Sequence, residues 1–185
     1  MWNDSRMNFR ILHYDTLDST NNLAISFARD SASEGTVITA DFQTKGRGRF
    51  ERTWLSPKGK GLLFSIILRP KLKVSEAPIL THLAAQSVLE VLASNFDLPS
   101  KLKKPNDVLV QDKKICGILT ESSAVKQKLD YVVVGVGLNV NSATKDLLKT
   151  ATSIFIETKK KVDQEPLLLD ILERFREKYR HTIKS

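Results

Sequence analysis

The chain has 185 residues, 41% of them apolar and 27% charged, which suits one domain spanning 1–185 with its own core and excludes a wholly disordered chain. No apolar run nears the roughly 18–20 residues of a membrane span, and the start, MWNDSRMNFRIL, has no basic stretch leading into an apolar one, so neither anchor nor secretory leader is expected. With 29 Lys and Arg against 21 Asp and Glu the formal charge is +8, a balance that attracts nucleotide phosphates, nucleic acid or an acidic protein.

In chain order, Phe9 to Tyr14 reads as a first strand. The polar run Asp18 to Asn22 then offers N-caps for a short helix through Leu23, Ala24, Phe27 and Ala28. Thr36 to Phe42 is a β-branched strand and Leu62 to Leu68 an apolar one. About twenty residues with four glycines separate them, and a loop that long inside a domain is functional or disordered. Ser75 to Ser94 predicts a helix with Pro78 in its first turn and Leu80, Ala84, Val88 and Val91 on one face. Strands at Val108 to Val110, Ile115 to Ser122 and Leu129 to Val136 predict an antiparallel meander. A last helix from Pro166 to about His181 turns Leu168, Ile171, Leu172, Phe175 and Tyr179 to the core. Lys159 to Lys161 reads as a solvated loop.

Four runs carry candidate chemistry. Gly46-Arg47-Gly48-Arg49, continuing to Arg52 and Trp54, alternates residues that let the backbone approach a ligand with planar, permanently charged donors. The same residue types also suit a mobile basic loop or an RNA contact. Lys103-Lys104-Pro105-Asn106-Asp107 presents an amide beside a carboxylate fit for magnesium on ATP, and equally forms an ordinary turn. Lys113-Lys114, just before the strand Ile115-Cys116-Gly117-Ile118-Leu119, suits an ammonium aimed into a pocket as a point charge, though ordinarily such a pair is an exposed hairpin tip. Gly135-Val136-Gly137-Leu138-Asn139 puts Gly-x-Gly inside an apolar strand, a sign of close approach by a ligand or another chain segment.

Several classes drop out. There is no G-x-G-x-x-G and no G-x-x-x-x-G-K-[ST], so neither a dinucleotide fingerprint nor a Walker loop is present. His13, His82 and His181 are too scattered for a metal site, and Cys116 reads as a buried small residue without a histidine partner. A nucleic-acid module would need aromatics interleaved with the basic residues, and only Phe50 and Trp54 qualify.

Taken in order, the runs Asp18-Ser19-Thr20-Asn21, Gln43 followed by GRGRFERTW, KKPND, KICGILTE and GVGLN resemble the biotin–protein ligase family. The resemblance runs from about Leu12 to the last helix. It implies an α/β fold of α+β type: a mixed, largely antiparallel sheet flanked by helices, related to class II aminoacyl-tRNA synthetases. It implies that ATP and biotin give biotinyl-5′-AMP and that biotin then passes to a lysine of a biotin carboxyl carrier protein. Ser19, Thr20, Asn21 and Gln43 would hold the biotin rings and tail; Gly117, Leu119 and Gly135 would line the slot. Arg47, Gly48 and Arg49 would form a flap over biotin and adenylate, and Lys114 would face both the biotin carboxylate and the attacked phosphate. Lys114, Arg47 and Arg49 would therefore be the catalytic cations. Trp54, Asn106 and Asn139, with Lys114, would meet ATP, and Asp107 would help to place Mg²⁺.

A homodimer in the cytoplasm is expected on the same ground, with no specific DNA binding and no membrane association. Neither an N-terminal helix-turn-helix nor a C-terminal SH3-like domain is expected within the chain. Two positions depart from the family pattern: Lys104 stands where tryptophan is usual, putting local packing or nucleotide affinity in doubt, and Glu51 stands where glycine is frequent, where it would stiffen the flap or pair with Arg52. The rival readings are a lipoate or octanoate ligase of the same fold and a degenerate, non-catalytic biotin-binding protein.

Overall fold

The computed structural model describes residues 7–183; the first half of the stretch in which no leader is expected lies outside them. The elements are β1 (Arg10–Leu17), α1 (Thr20–Arg29), β2 (Thr36–Gln43), β3 (Gly61–Leu68), α2 (Pro78–Phe96), β4 (Ser100–Lys103), β5 (Asp107–Val110), β6 (Lys113–Val125), β7 (Lys128–Asn139), α3 (Ile154–Thr158) and α4 (Gln164–Ile183). Seven strands form one sheet in the order β1-β2-β3-β7-β6-β5-β4. Among the described strands only β1 and β2 run parallel. A parallel pair needs a crossover, and α1 supplies it, lying over β2, β3 and β7. The expected meander is β5-β6-β7.

Alternation along the central strands separates two layers. Leu62, Phe64, Ile66 and Leu68 of β3 join Val132, Val134, Val136 and Leu138 of β7 in the main core under α2 and α4. All four residues expected on the inner face of α2 are buried there, as are the five expected on α4. Phe175 stacks on Tyr179 with centroids 5.8 Å apart. The Tyr179 hydroxyl donates to Glu34 Oε1 at 2.5 Å, and burial with that carboxylate pushes its pKa up. Burying such side chains stabilises the fold by about 1.5–3 kcal/mol each.

The opposite face is covered by α1, which packs Ala24 and Ala28 on Ile38, Ile67, Tyr131 and Val133. Alternation puts Ser65, Gly135, Gly137 and Asn139 on this face too, with Gly117, Leu119 and Glu121 of β6. Ser65 pairs with Gly135 and Gly135 with Leu119 across three neighbouring strands. These seven residues continue the α1 face beyond the helix N-terminus. That is where the sheet is left open.

Two elements were not expected. β4 is an edge strand whose Lys101 and Lys103 are exposed; a lysine-bearing edge resists adding further strands. Helix α3 has only five residues and is held by its cap, Ser153 Oγ accepting from Ile156 N at 3.0 Å. Lys159–Lys161 is exposed, as expected.

Candidate active site

The open part of the α1 face is a cavity of about 840 Å³. Every residue singled out from the sequence as a site candidate lines it: Ser19, Thr20, Asn21, Gln43, Arg47, Gly48, Arg49, Trp54, Asn106, Asp107, Lys114, Gly117, Leu119, Gly135 and Asn139.

Its floor is the N-terminus of α1. The first amides of a helix lack partners within the helix, and here Thr20 N donates to Gln43 Oε1 at 2.7 Å, with the Thr20 hydroxyl on the same oxygen at 3.0 Å. Asn21 is 4% exposed. Its Oδ1 accepts from Ser65 Oγ at 2.6 Å, and its Nδ2 donates to Leu119 O at 3.2 Å and Glu121 Oε2 at 2.8 Å. Gly135 makes room for it: a Cβ there would sit 1.9 Å from Asn21 Oδ1.

The cations stand above this floor. Lys114 Nζ is 2.7 Å from Asp107 Oδ1, both about one-third exposed, and 5.4 Å from the centre of the Trp54 ring. Its main chain is clamped on both sides, Lys114 N donating to Thr150 O and Thr152 N to Lys114 O, each at 2.9 Å. The glycine–arginine run is a small hairpin in which Arg47 bridges Thr53 and Trp54 N donates to Gly46 O at 3.0 Å. Arg47 pairs with Glu121. Arg49 Nη1 reaches Asn106 Oδ1 at 3.4 Å, and Asn106 is pinned to β6 through Ile118 O at 2.7 Å. The Pro-Asn-Asp segment is thus a turn and a wall of the cavity at once, with a cis Lys104–Pro105 bond.

At the far end the Trp54 ring lies against two glycines: a Cβ on Gly137 would come within 2.5 Å of it and one on Gly117 within 3.0 Å. Asn139 Nδ2 donates to Thr152 O at 3.0 Å. Asn139 Oδ1 and Trp54 Nε1 are buried without a partner among the described residues. Leaving such an atom unsatisfied costs about 1–3 kcal/mol, so their joint presence beside a cavity marks a place for polar ligand groups. Asp146 on the same rim is held below the usual carboxylate range by the Lys60 ammonium at 2.7 Å.

The two departures resolve physically. Lys104 is exposed on the rim, so no core packing depends on it. Glu51 lies at φ 59°, the left-handed region that glycine adopts at least cost, and forms no ion pair with Arg52 among the described residues. Cys116 is fully buried and its thiol is pushed up to about 12 by burial, against the pull of Lys114, which leaves it unreactive at neutral pH.

Sequence reasoning missed Ser65, the Thr150–Thr152 segment and the partners of Glu121. A serine inside LLFSIIL, buried at every position, was the available signal, since a buried hydroxyl needs a partner.

A mixed sheet carrying a cation-lined cavity under a glycine–arginine hairpin defines a ligand-binding α/β domain. The chain belongs to the Biotin/lipoate A/B protein ligase family, whose model matches residues 14–139. It is 38% identical over 178 residues to the bifunctional ligase/repressor BirA of Bacillus subtilis, covering 94% of this chain and 55% of that protein. The chain thus spans about half the length of that curated relative. Among solved structures, a biotin protein ligase mutant from Aquifex aeolicus in complex with biotin aligns with TM-score 0.81 and 34% identity over 97% of this chain and 73% of that one. The Aquifex aeolicus ligase in complex with biotin and ATP aligns with TM-score 0.75 and 34% identity over 94% and 73%. Among the described residues no helix is long and apolar enough to cross a membrane.

Proposed function

We propose that this chain is an ATP-dependent biotin–protein ligase domain that forms biotinyl-5′-AMP and transfers biotin to a lysine of a biotin carboxyl carrier protein. The observation that carries the reading is a single cavity that joins a neutral hydrogen-bonding floor, a cationic middle and an end with two unsatisfied buried polar atoms. Biotin has a ureido ring, an acid tail and no charge between them, and that order suits floor, then cations, then nucleotide. The family membership and the ligands named for the Aquifex aeolicus neighbours support the same reading.

In the first step a biotin carboxylate oxygen attacks the α-phosphorus of ATP and pyrophosphate leaves; in the second the acceptor amine attacks the acyl carbon and AMP leaves. The carboxylate is already a nucleophile, so the first step needs no base. It needs two anions held in line. Lys114, Arg47 and Arg49 would offset their repulsion, each contact worth about 10²–10³ in rate by analogy with oxyanion donors. Asp107 suits Mg²⁺ arriving on the nucleotide, because magnesium takes one or two carboxylates and keeps substrate oxygens. Among the described residues no group of three or more His, Cys, Asp or Glu is built to hold a metal alone. When bound, the ion would neutralise phosphate charge; orienting the acid and excluding water are tasks for the floor and the hairpin.

Incubation with Mg·ATP and labelled biotin, beside lipoate, tests the reading. Biotinyl-5′-AMP is the expected product, and its transfer to a biotin-acceptor domain the second. Lipoyl-AMP alone, or biotin binding without adenylate, would overturn it. Arg49→Ala should release the adenylate and label bystander lysines, because the hairpin loses its hold at Asn106. Retention equal to that of the unaltered chain would remove Arg49 from this role. The same reading includes a homodimer in the cytoplasm, which sedimentation showing only monomer, with and without biotin and ATP, would exclude.

A further inference from the structure

Polar residues that line and back the cavity form one connected run. The Thr20 hydroxyl donates to Gln43 Oε1, and Ser65 Oγ lies 2.8 Å from Thr20 Oγ1 and 2.6 Å from Asn21 Oδ1. Asn21 Nδ2 then donates to Glu121 Oε2 at 2.8 Å, and that same oxygen takes the guanidinium of Arg47. Five parts of the chain are joined: α1, β2, β3, β6 and the hairpin. Both Nδ2 protons of Asn21 are engaged, on Leu119 O and Glu121, so its amide cannot flip without losing both and the Ser65 bond as well. Donors converge on Glu121 from both sides, Asn21 Nδ2 from the floor and Arg47 Nη2 from the hairpin.

Glu121 stands in a neighbouring cavity of about 550 Å³, and Arg47 lines both that one and the first; a carboxylate so close to a site for anions needs a reason, because it repels them. Glu121 is 28% exposed and its arginine 38%, so the pair is partly withdrawn from solvent. Unpartnered, Arg47 would sample many rotamers on a hairpin whose tip residue Phe50 is 79% exposed. Held by Glu121, it presents its remaining N–H groups in one plane, and planar presentation is what arginine offers a carboxylate or phosphate. We propose that Glu121 is a positioning residue that holds Arg47 at the wall shared by the two cavities and ties it, through Asn21 and Ser65, to the floor where the acid is recognised. This rests on the function proposed above. Glu121 acts through Arg47 and Asn21 and does not itself touch the reacting atoms.

The test is a double-mutant cycle on Glu121→Ala, Arg47→Ala and the pair, with Glu121→Gln as the conservative variant. Two readouts are needed. In the ligand-free protein, hydrogen exchange of the Gly46–Trp54 amides should speed about tenfold in Glu121→Ala. With Mg·ATP and biotin, single-turnover adenylation should slow about tenfold, with ATP KM nearly unchanged. Glu121→Gln, which still accepts from Asn21, should recover part of both losses. The double variant should be no slower than Arg47→Ala alone. Multiplicative losses in the double variant, or unchanged hairpin exchange in Glu121→Ala, would overturn the positioning role. The exchange arm needs no ligand, so it separates failure of this inference from failure of the biotin reading. Wild-type adenylation by Glu121→Ala would sink the positioning role and leave the function standing.

Discussion

Lys114→Ala should slow single-turnover adenylation by at least about 10²-fold. Its ammonium is 2.7 Å from Asp107 and faces the middle of the cavity, where the acid and the α-phosphate would meet. Removing it deletes a cation and leaves Asp107 as an uncompensated carboxylate beside two further anions, so repulsion rises as attraction falls. The backbone should stay in place, because Thr150 and Thr152 bond Lys114 through its main chain alone. The change should therefore appear in rate with little change in melting temperature, as expected for a partly exposed pair. Lys114→Arg keeps the charge but replaces a compact ammonium with a wide fork, and should recover only part of the rate. Pyrophosphate release in a single turnover measures this directly. An unchanged rate in Lys114→Ala would remove the residue from the reaction.

How much of this was legible in the sequence depends on the range of the interaction. Strands β2, β3, β6 and β7 announce themselves by β-branched and apolar runs and helices α1, α2 and α4 by local periodicity, and the buried faces of the helices follow from it. The Gly-x-Gly of β7 was readable as close approach, and Asn21 and Trp54 are what approach. Partners were not readable. Ser65 lies 44 residues from Asn21 and Glu121 100 residues from it, and no local pattern encodes which strand lies beside which. Nor does Thr150–Thr152 carry any periodicity, since it pairs with a single residue of an edge-ward strand end. β4 was hidden because SKLK alternates over only four residues and its outward lysines read as loop. The motifs share one cavity, and the sheet order brings them together there.

Gly135→Ala should weaken biotin binding by about 10²-fold while leaving the nucleotide end untouched. The added methyl would sit 1.9 Å from Asn21 Oδ1 and 2.8 Å from its Cγ, against the 3.5–4.0 Å at which carbon contacts are favourable. The strand cannot give way, because β7 is hydrogen-bonded to β3 on one side and β6 on the other at this position. Asn21 must move instead. Moving it breaks its bonds to Ser65, Leu119 and Glu121, about 1 kcal/mol each, and strands the buried Ser65 hydroxyl. Those losses fall on stability; affinity falls because the displaced amide no longer meets the ligand, and two decades correspond to about 2.7 kcal/mol of lost ligand contact. Stability should fall by about 1–3 kcal/mol, a drop of several degrees in Tm. A second substitution separates the two effects. Asn21→Ala added to Gly135→Ala removes the clash, so Tm should return towards that of the unaltered chain, while biotin affinity stays low because the amide is gone. Calorimetric titration with biotin and thermal melts of the two variants measure both quantities. Normal biotin affinity in Gly135→Ala, with an unchanged Tm, would show that Asn21 is free to move and that the floor of the cavity is not where biotin is held.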